Sequence, residues 1–201
     1  EFSQKILVFD LGGGTFDLSV LEMQDGVFQV LSTQGDTRLG GDDLDALIAD
    51  EVVRRHDIRV DATPGLRVRL LEEAERVKRV LSDEQGAVLR LPFYEDSKSV
   101  AQEFTREELE KIAMAWLERT LKHSCQAMAS ADLKPVDLDA VVLVGGSSRI
   151  PAVRRAVAKL FEREPDISQH PDEAIALGAA VQGGVMSGAL QKMVLLDVTP
   201  L

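Results

Sequence analysis

The sequence predicts an α/β fold in which helices pack on a mixed sheet, with a small α+β subdomain inserted. An apolar run at 6–9 and the apolar start of the segment 138–151 each lead into a cluster of glycines, as buried strands often do. Amphipathic helices alternate with these strands. A charged helix followed by two short strands interrupts the pattern over 58–106 and forms the predicted insertion.

Composition limits the classes of protein to which the chain can belong. Its 201 residues are 45% hydrophobic and 28% charged, which is typical of a globular protein with a sizeable core. A net charge of −11 argues against nucleic acid or an anionic membrane as a partner, because both bind basic surfaces. The single cysteine, Cys125, cannot form an internal disulfide and fits a reducing, cytoplasmic compartment.

A glycine cluster after the first predicted strand is the first candidate site. The run 6–9 leads into Asp10, residues 12–14 are all glycine, and Thr15 and Asp17 follow. Glycine lets the backbone turn tightly and present N–H groups to an anion. Because Mg²⁺ prefers oxygen ligands, Asp10 and Asp17 beside this turn predict a phosphate site with a bound metal. The spacing alone also fits a plain hairpin with solvated aspartates.

Two more strands are predicted directly after this turn. Apolar and polar residues alternate over 15–23, which is typical of a half-buried strand. The Asp-Gly pair at 25–26 is a strong hairpin signal and leads into a third strand over 27–33. The first three strands are therefore predicted to be consecutive and antiparallel.

A second glycine turn precedes the first helix. Gly40 and Gly41 form this turn, and Asp42 or Asp43 is the predicted N-cap of a helix that runs to about Arg55. The N-terminus of a helix that follows a glycine turn is a possible anion site. The local sequence taken alone favours the alternative, an ordinary capped helix.

The inserted subdomain begins with a highly charged helix over 66–82, after a linker at 58–65. Its apolar stripe predicts packing on the rest of the subdomain, which consists of two strands over 87–94 and 99–104. Four polar residues share another face of the helix: Glu75, Lys78, Arg79 and Ser82. From the local sequence this face is solvated and carries an ion pair between Glu75 and Arg79.

Thr105 and Glu108 form a capping box that predicts a long amphipathic helix, with Trp116 as a core residue.

A second strand, glycine turn and helix follow over 138–151. Ligands bind at the carboxyl ends of such strands, so Gly145 and Gly146 could let a flat base or sugar lie on the backbone. Arg149 could stack on that base, because guanidinium is planar. An ordinary connection between strand and helix is the alternative.

The C-terminal region contains a last helix that starts at 170–173, with Pro171 at its first position and Asp172 in its first turn. Small residues in this helix predict close packing. The longest uncharged stretch, 174–191, contains four glycines and is too polar to span a membrane. Residues 193–200 form an apolar run, and we expect it to be a linker that docks on another surface.

Six motifs occur in order along the chain. They are DLGGGTFD at 10–17, LGGDD at 39–43, ERVKRVLS at 75–82, VGGSSRIP at 144–151, PDEAIALGAA at 171–180 and VLLDVTPL at 194–201. Together they resemble the heat-shock protein 70 chaperones, the DnaK family, over essentially the whole chain. The inserted subdomain is shorter than in common members, as in the iron–sulfur-assembly chaperone HscA. His170, Met193 and Val77 depart from the usual family residues without removing a ligand group.

The resemblance implies the second lobe of an actin-like ATPase domain, which has a ribonuclease H-like fold. It implies a subdomain IIA over 1–57 and 107–192, an inserted subdomain IIB over 58–106, and the start of an interdomain linker over 193–201. The chain is thus expected to be a fragment without the first lobe or the peptide-binding domain.

The resemblance also implies roles for individual residues. Asp10 would position hydrated Mg²⁺ and the attacking water, Thr15 would lie near the γ-phosphate, and Asp17 would complete the ion sites, with K⁺ as a further ion. The phosphate cradle would comprise Gly12, Gly13, Gly14, Gly40 and Gly41. The adenosine would contact Glu75, Lys78, Arg79, Ser82, Gly145, Gly146, Ser147, Arg149, Ile150 and Asp172. The allosteric linker would include Leu195, Leu196 and Asp197.

For the full-length parent, the resemblance implies ATP hydrolysis coupled to peptide binding and protein folding. The expected cofactors are ATP or ADP with Mg²⁺. The expected partners are the first lobe, the peptide-binding domain, a J-domain co-chaperone, a nucleotide-exchange factor and unfolded client peptides, but no nucleic acid or membrane. Two alternatives stay open: a nucleotide-sensing module without useful turnover, and another actin-like ATPase or kinase.

Overall fold

The structure, a computed structural model, describes residues 3–95, 97–167, 173–190 and 194–196. The strands are β1 (Ser3–Leu11), β2 (Phe16–Gln24), β3 (Val27–Asp36), β4 (Gly86–Glu95), β5 (Lys98–Thr105), β6 (Ala140–Val144) and β7 (Val194–Leu196). The helices are α1 (Gly41–His56), α2 (Leu66–Asp83), α3 (Arg106–Ile112), α4 (Met114–Ser130), α5 (Pro151–Phe161) and α6 (Ala174–Met186). Short 3₁₀ helices cover Val60–Ala62, Pro135–Asp137 and Gly146–Arg149. Within these described ranges, no helix is both long and apolar enough to cross a membrane.

The main sheet is mixed, as predicted, and has the strand order β6-β1-β2-β3-β7. Strands β1, β2 and β3 are antiparallel neighbours, which confirms the predicted meander. Strand β6 runs parallel to β1, and β7 runs parallel to β3. In this register Asp10 pairs with Asp17 on one side and with Val144 on the other. The glycine turns that follow β1 and β6 therefore lie at the same edge of the sheet.

The first strand is less buried than its apolar run predicts. Leu7, Phe9 and Leu11 are fully buried, whereas Ile6 and Val8 are only partly buried. Neighbouring residues of a strand point to opposite faces. One face of β1 therefore forms the core, and the described residues cover the other face less completely.

In the region of the predicted insertion, α2 packs on β4, β4 pairs with β5 in antiparallel orientation, and α2 also packs on α1. The predicted apolar stripe of α2 is buried: Leu70, Ala74, Val77 and Leu81. These side chains belong to the same hydrophobic cluster as Leu7 and Phe9 of the main sheet. Helix α2 is therefore joined to the main sheet by apolar packing.

Two predicted helix boundaries are wrong. The N-cap of α1 is Gly40, and Asp43 lies three positions later, where its Oδ2 accepts a hydrogen bond from the Gly40 N–H at 2.7 Å. The capping box at Thr105 and Glu108 is present, but the long helix predicted after it is divided at Ala113 into α3 and α4. No proline or glycine marks this division in the sequence.

The close packing predicted for the last helix is also absent from the described structure. Helix α6 begins at Ala174 and has no buried residue, and a β-carbon at Gly178 would meet nothing within 4 Å. Small residues permit close approach but do not supply a partner surface. The predicted start of this helix, with His170 and Asp172, lies outside the described residues, as do Met193 and Asp197.

Candidate functional site

Three glycine loops are joined by hydrogen bonds at one edge of the main sheet. The Gly41 N–H donates to the Gly12 carbonyl at 3.0 Å, and the Asp42 N–H donates to the Gly13 carbonyl at 2.7 Å. Ser147 Oγ donates to the same Gly12 carbonyl at 2.9 Å. The turns after β1, before α1 and after β6 are therefore held together as one unit.

Two of these loops approach the turn after β1 so closely that a larger residue does not fit. A β-carbon at Gly40 would lie 2.5 Å from the carbonyl carbon of Gly13. Gly145 has a φ of +81°, and a β-carbon there would lie 2.6 Å from Asp10 Oδ1. Such distances are well inside van der Waals contact, so any residue larger than glycine would clash at either position.

The turn after β1 offers fewer free donors than its three glycines suggest. The Gly12 N–H donates to the Thr15 carbonyl at 3.0 Å, which closes the turn. Gly13, Gly14 and Thr15 are exposed. We therefore expect an anion at this turn to be bound mainly by the N–H groups of Gly13 and Gly14.

Two carboxylates lie beside this turn. Asp10 is half-buried, and desolvation, followed by the negative charge of Asp17, raises its pKa above the ordinary value. The described residues contain no group of three or more His, Cys, Asp or Glu side chains placed to hold a metal ion. Two carboxylates nevertheless fit Mg²⁺, because this ion commonly binds one or two carboxylates together with phosphate oxygens and waters.

A third carboxylate, which the sequence did not assign to the site, strengthens the case for a cation. Asp42 Oδ1 would lie 3.4 Å from a β-carbon at Gly13. Its negative charge repels a bare phosphate at this turn. A phosphate bound here therefore needs a cation to offset Asp42 as well as Asp10 and Asp17.

A cavity of about 810 Å³ opens next to the glycine loops, and its size suits a small-molecule ligand. Its lining includes nine residues predicted from the sequence: Gly13, Glu75, Lys78, Arg79, Ser82, Gly146, Ser147, Arg149 and Ile150. Predicted residues outside the lining are Asp10, Gly12, Gly14, Thr15, Asp17, Gly40, Gly41 and Gly145. Asp172 cannot be placed, because it lies outside the described residues.

Five lining residues were not predicted: Asp42, Asp83, Pro151, Arg154 and Arg155. The two arginines lie near the start of α5, four and five residues after the predicted Ile150. Arg154 Nε donates to the Ser148 carbonyl at 3.2 Å, and Arg155 pairs with Glu110 at 2.6 Å. Their position one helical turn beyond a predicted site residue was the available signal.

The cavity is locally basic although the chain is acidic. Five cationic side chains line it, against three carboxylates. The predicted ion pair between Glu75 and Arg79 is present at 3.8 Å, and the Arg79 side chain remains 77% exposed. The net charge of the chain is −11, but these cations can attract an anionic ligand to the cavity.

Trp116 forms a hydrogen bond with the glycine turn before α1. It is a core residue, as predicted, and is 3% exposed. Its indole Nε1–H donates to the Gly40 carbonyl at 2.9 Å. A buried tryptophan usually needs an acceptor for this N–H. The predicted burial of Trp116 was therefore the available signal that it would also form a hydrogen bond.

Trp116→Phe is expected to lower the free energy of unfolding by about 1–3 kcal/mol, because it leaves the buried Gly40 carbonyl without its donor. Urea unfolding followed by circular dichroism measures the change. Trp116→Phe keeps most of the apolar contact, so an unfolding free energy equal to that of the unmodified chain would mean that the hydrogen bond contributes nothing.

The family of the chain follows from comparison with known protein families. A family model described as Hsp70 protein matches residues 1–201. Members of this family are chaperone ATPases that bind ATP or ADP with Mg²⁺ and work with client peptides and co-chaperones. Since the match covers the entire sequence, the chain belongs to the Hsp70 family.

Proposed function

We propose that the chain is the adenine-nucleotide-binding second lobe of an Hsp70 ATPase domain. In the full-length parent it would take part in ATP hydrolysis coupled to peptide binding and protein folding. One observation carries the proposal: the two predicted adenosine motifs face each other across one cavity. The polar face of α2 lines one side, and the turn from Gly146 to Ile150 lines the other.

The residues of the two walls have distinct tasks in this proposal. The planar guanidinium of Arg149 stacks on the base, and Glu75 and Lys78 contact the ribose. Glycine at 146 leaves room beside the backbone for the flat ligand. The phosphates extend toward the exposed N–H groups of Gly13 and Gly14, at the edge where the three loops meet.

Asp10 and Asp17 would hold Mg²⁺ at the phosphate end. When bound, this ion offsets negative charge on the phosphates. Asp10 also orients water by accepting a hydrogen bond, because a carboxylate accepts at both oxygens. Thr15, exposed beside it, supplies a hydroxyl near the terminal phosphate. The chain thus contributes positioning and electrostatic stabilisation without covalent chemistry.

We further propose that residues 1–57 and 107–192 form subdomain IIA, 58–106 form subdomain IIB, and 193–201 begin the linker. The packing of α2 on β4, which pairs with β5, supports the inserted unit, and the pairing of β7 with β3 supports a linker that docks on the main sheet. The whole protein would act with a first lobe, a peptide-binding domain, a J-domain co-chaperone and a nucleotide-exchange factor.

Calorimetric titration of the 201-residue chain with ADP and Mg²⁺ tests the proposed site. We expect weak but measurable binding, and Arg149→Ala should reduce the affinity by about tenfold or more through loss of a charged contact. Lys159→Ala is the matched control, because it removes an exposed cation of α5 that does not line the cavity. Absence of binding at millimolar ADP, or equal losses in both variants, would contradict the assignment.

The isolated chain is expected to hydrolyse ATP negligibly. The turn after β1 is exposed, so phosphates bound there remain in contact with water, where charge interactions are weak. Phosphate release assays measure the rate. Turnover comparable to that of an intact chaperone ATPase would show that this lobe alone contains the complete catalytic machinery.

A further inference from the structure

A buried ion pair connects α1 with α2 beneath the wall of the cavity. Lys78 Nζ donates to Asp45 Oδ2 at 2.8 Å and to the Gly41 carbonyl at 3.0 Å. The Asp45 and Lys78 side chains are only 8% and 11% exposed. Lys78 was predicted to belong to the adenosine site, whereas no role was predicted for Asp45.

The donors of Lys78 are divided between the chain and the cavity. An ammonium group has three N–H donors, and Asp45 with Gly41 accepts two of them. One donor is left for a ligand, and Lys78 lines the cavity. Lysine has a flexible side chain, so a fixed partner restricts where its charge lies.

Asp45 in turn depends on Lys78. Its Oδ1 is buried and accepts no hydrogen bond from the described residues. The Lys78 ammonium is therefore the only group among those residues with which the Asp45 carboxylate forms a direct ion pair or a side-chain hydrogen bond. A buried carboxylate with a single partner is costly to keep in a protein core, which calls for a specific explanation.

We propose that Asp45 is a positioning residue of the nucleotide site. It holds the Lys78 ammonium against the Gly41 carbonyl, and thereby orients the remaining donor of Lys78 for the ribose and fixes the α2 wall on α1. This inference rests on the proposed function of the cavity, and it adds a residue that does not itself line the cavity.

The pairing makes nucleotide affinity depend on pH. Burial raises the pKa of Asp45 to about 6, with smaller contributions from the negative charges of Glu75 on α2 and Asp42 on α1, while Lys78 acts in the opposite direction. As the pH falls from 7.5 to 5, Asp45 is protonated and its ion pair with Lys78 is lost. We expect the affinity for ADP to decrease over this range.

Asp45 is expected to affect stability and ADP affinity in opposite directions as the pH falls. The two measurements can therefore be told apart. Its pKa in the folded chain lies above the ordinary aspartate value of 3.8, so Asp45 favours the folded state at low pH and loses that contribution as the pH rises through about 6. Loss of affinity at pH 5 therefore cannot result from unfolding driven by Asp45.

Calorimetric titration with ADP and Mg²⁺ tests the proposal on the 201-residue chain. Asp45→Asn keeps the shape of the side chain but removes its charge, and we expect about tenfold weaker binding at pH 7.5 and a flatter pH profile. Asp50→Asn is the matched control, because Asp50 also joins α1 to α2, through an exposed pair with Arg67 at 2.7 Å. Unchanged ADP affinity in Asp45→Asn would overturn the positioning role.

A double-mutant cycle separates positioning from general destabilisation. If Asp45 acts through Lys78, Asp45→Asn should weaken ADP binding in the unmodified chain but have little effect when Lys78→Met is already present. An equal loss in both backgrounds would show that Asp45 acts independently of Lys78 and would overturn the inference.

A measurement without nucleotide distinguishes failure of the inference from failure of the proposed function. Acetic anhydride modifies exposed, unpaired lysines, and mass spectrometry gives the rate at Lys78 relative to Lys159. We expect several-fold faster modification of Lys78 in Asp45→Asn, and an unchanged rate would overturn the pairing. If Lys78 is modified faster in Asp45→Asn but the unmodified chain does not bind ADP, the pairing is present and the proposed function of the cavity is wrong. The role of Asp45 in nucleotide binding would then be wrong as well.

Discussion

Replacing Gly145 with alanine is expected to abolish ADP binding and to lower the free energy of unfolding by about 2–5 kcal/mol. Two effects add at this position. The φ of +81° is strained for any residue with a β-carbon, and that carbon would lie 2.5 Å from the carbonyl carbon of Leu11 and 2.6 Å from Asp10 Oδ1. Leu11 belongs to a central strand, so its backbone cannot move aside without disturbing the pairing with β2.

Gly26→Ala is a matched control for the Gly145 prediction. Gly26 has the same φ of +81°, but a β-carbon there would meet nothing within 4 Å. This variant should show only the conformational cost, about 1–2 kcal/mol, with unchanged ADP affinity. Urea unfolding and calorimetric titration measure both quantities. Similar results for the two variants would mean that the contacts of Gly145 with Leu11 and Asp10 are unimportant.

Replacing Gly40 with alanine is expected to lower the free energy of unfolding by about 1–3 kcal/mol and to weaken ADP binding at least tenfold. Its φ of −155° is accessible to any residue, so the effect is steric alone. A β-carbon would lie 2.5 Å from the Gly13 carbonyl carbon and 2.7 Å from that of Gly14. The turn after β1 must therefore shift away from α1, and its N–H groups lose their alignment toward the phosphates.

Gly178→Ala is the control for the Gly40 prediction. It lies inside α6, where a β-carbon would meet nothing within 4 Å, and alanine favours helix. We expect unchanged or slightly higher stability and unchanged ADP affinity, measured as for Gly40→Ala. If Gly40→Ala behaved like this control, the loops would have to be far more adaptable than their hydrogen bonds indicate.

Local patterns in the sequence predicted most of the fold. The Asp-Gly turn, the alternation in β2 and the apolar stripe of α2 each depend on residues close together in the chain, and each is present. The division at Ala113 has no such local signal. The exposure of α6 could not be predicted either, because small residues indicate only that close packing is possible.

Residues that line the cavity were predicted where they lie in the sequence motifs, whereas the roles of two side chains with distant partners were missed. Motif residues line both walls of the cavity. Asp45 and Trp116 act through partners 33 and 76 residues away, and a pattern within one helix cannot reveal such a partner. Both are buried polar groups, a class of residue whose partner can be found only from the folded chain.

The hydrogen bond of Trp116 also gives the protein an intrinsic optical signal. Trp116 is the only tryptophan in the sequence, and its indole donates to the carbonyl of Gly40, next to the phosphate end of the proposed site. Indole emission depends on hydrogen bonding and on the polarity around the ring. Ultraviolet fluorescence therefore reports on this one loop directly, so movements of the turn can be followed in real time without a dye or an engineered label.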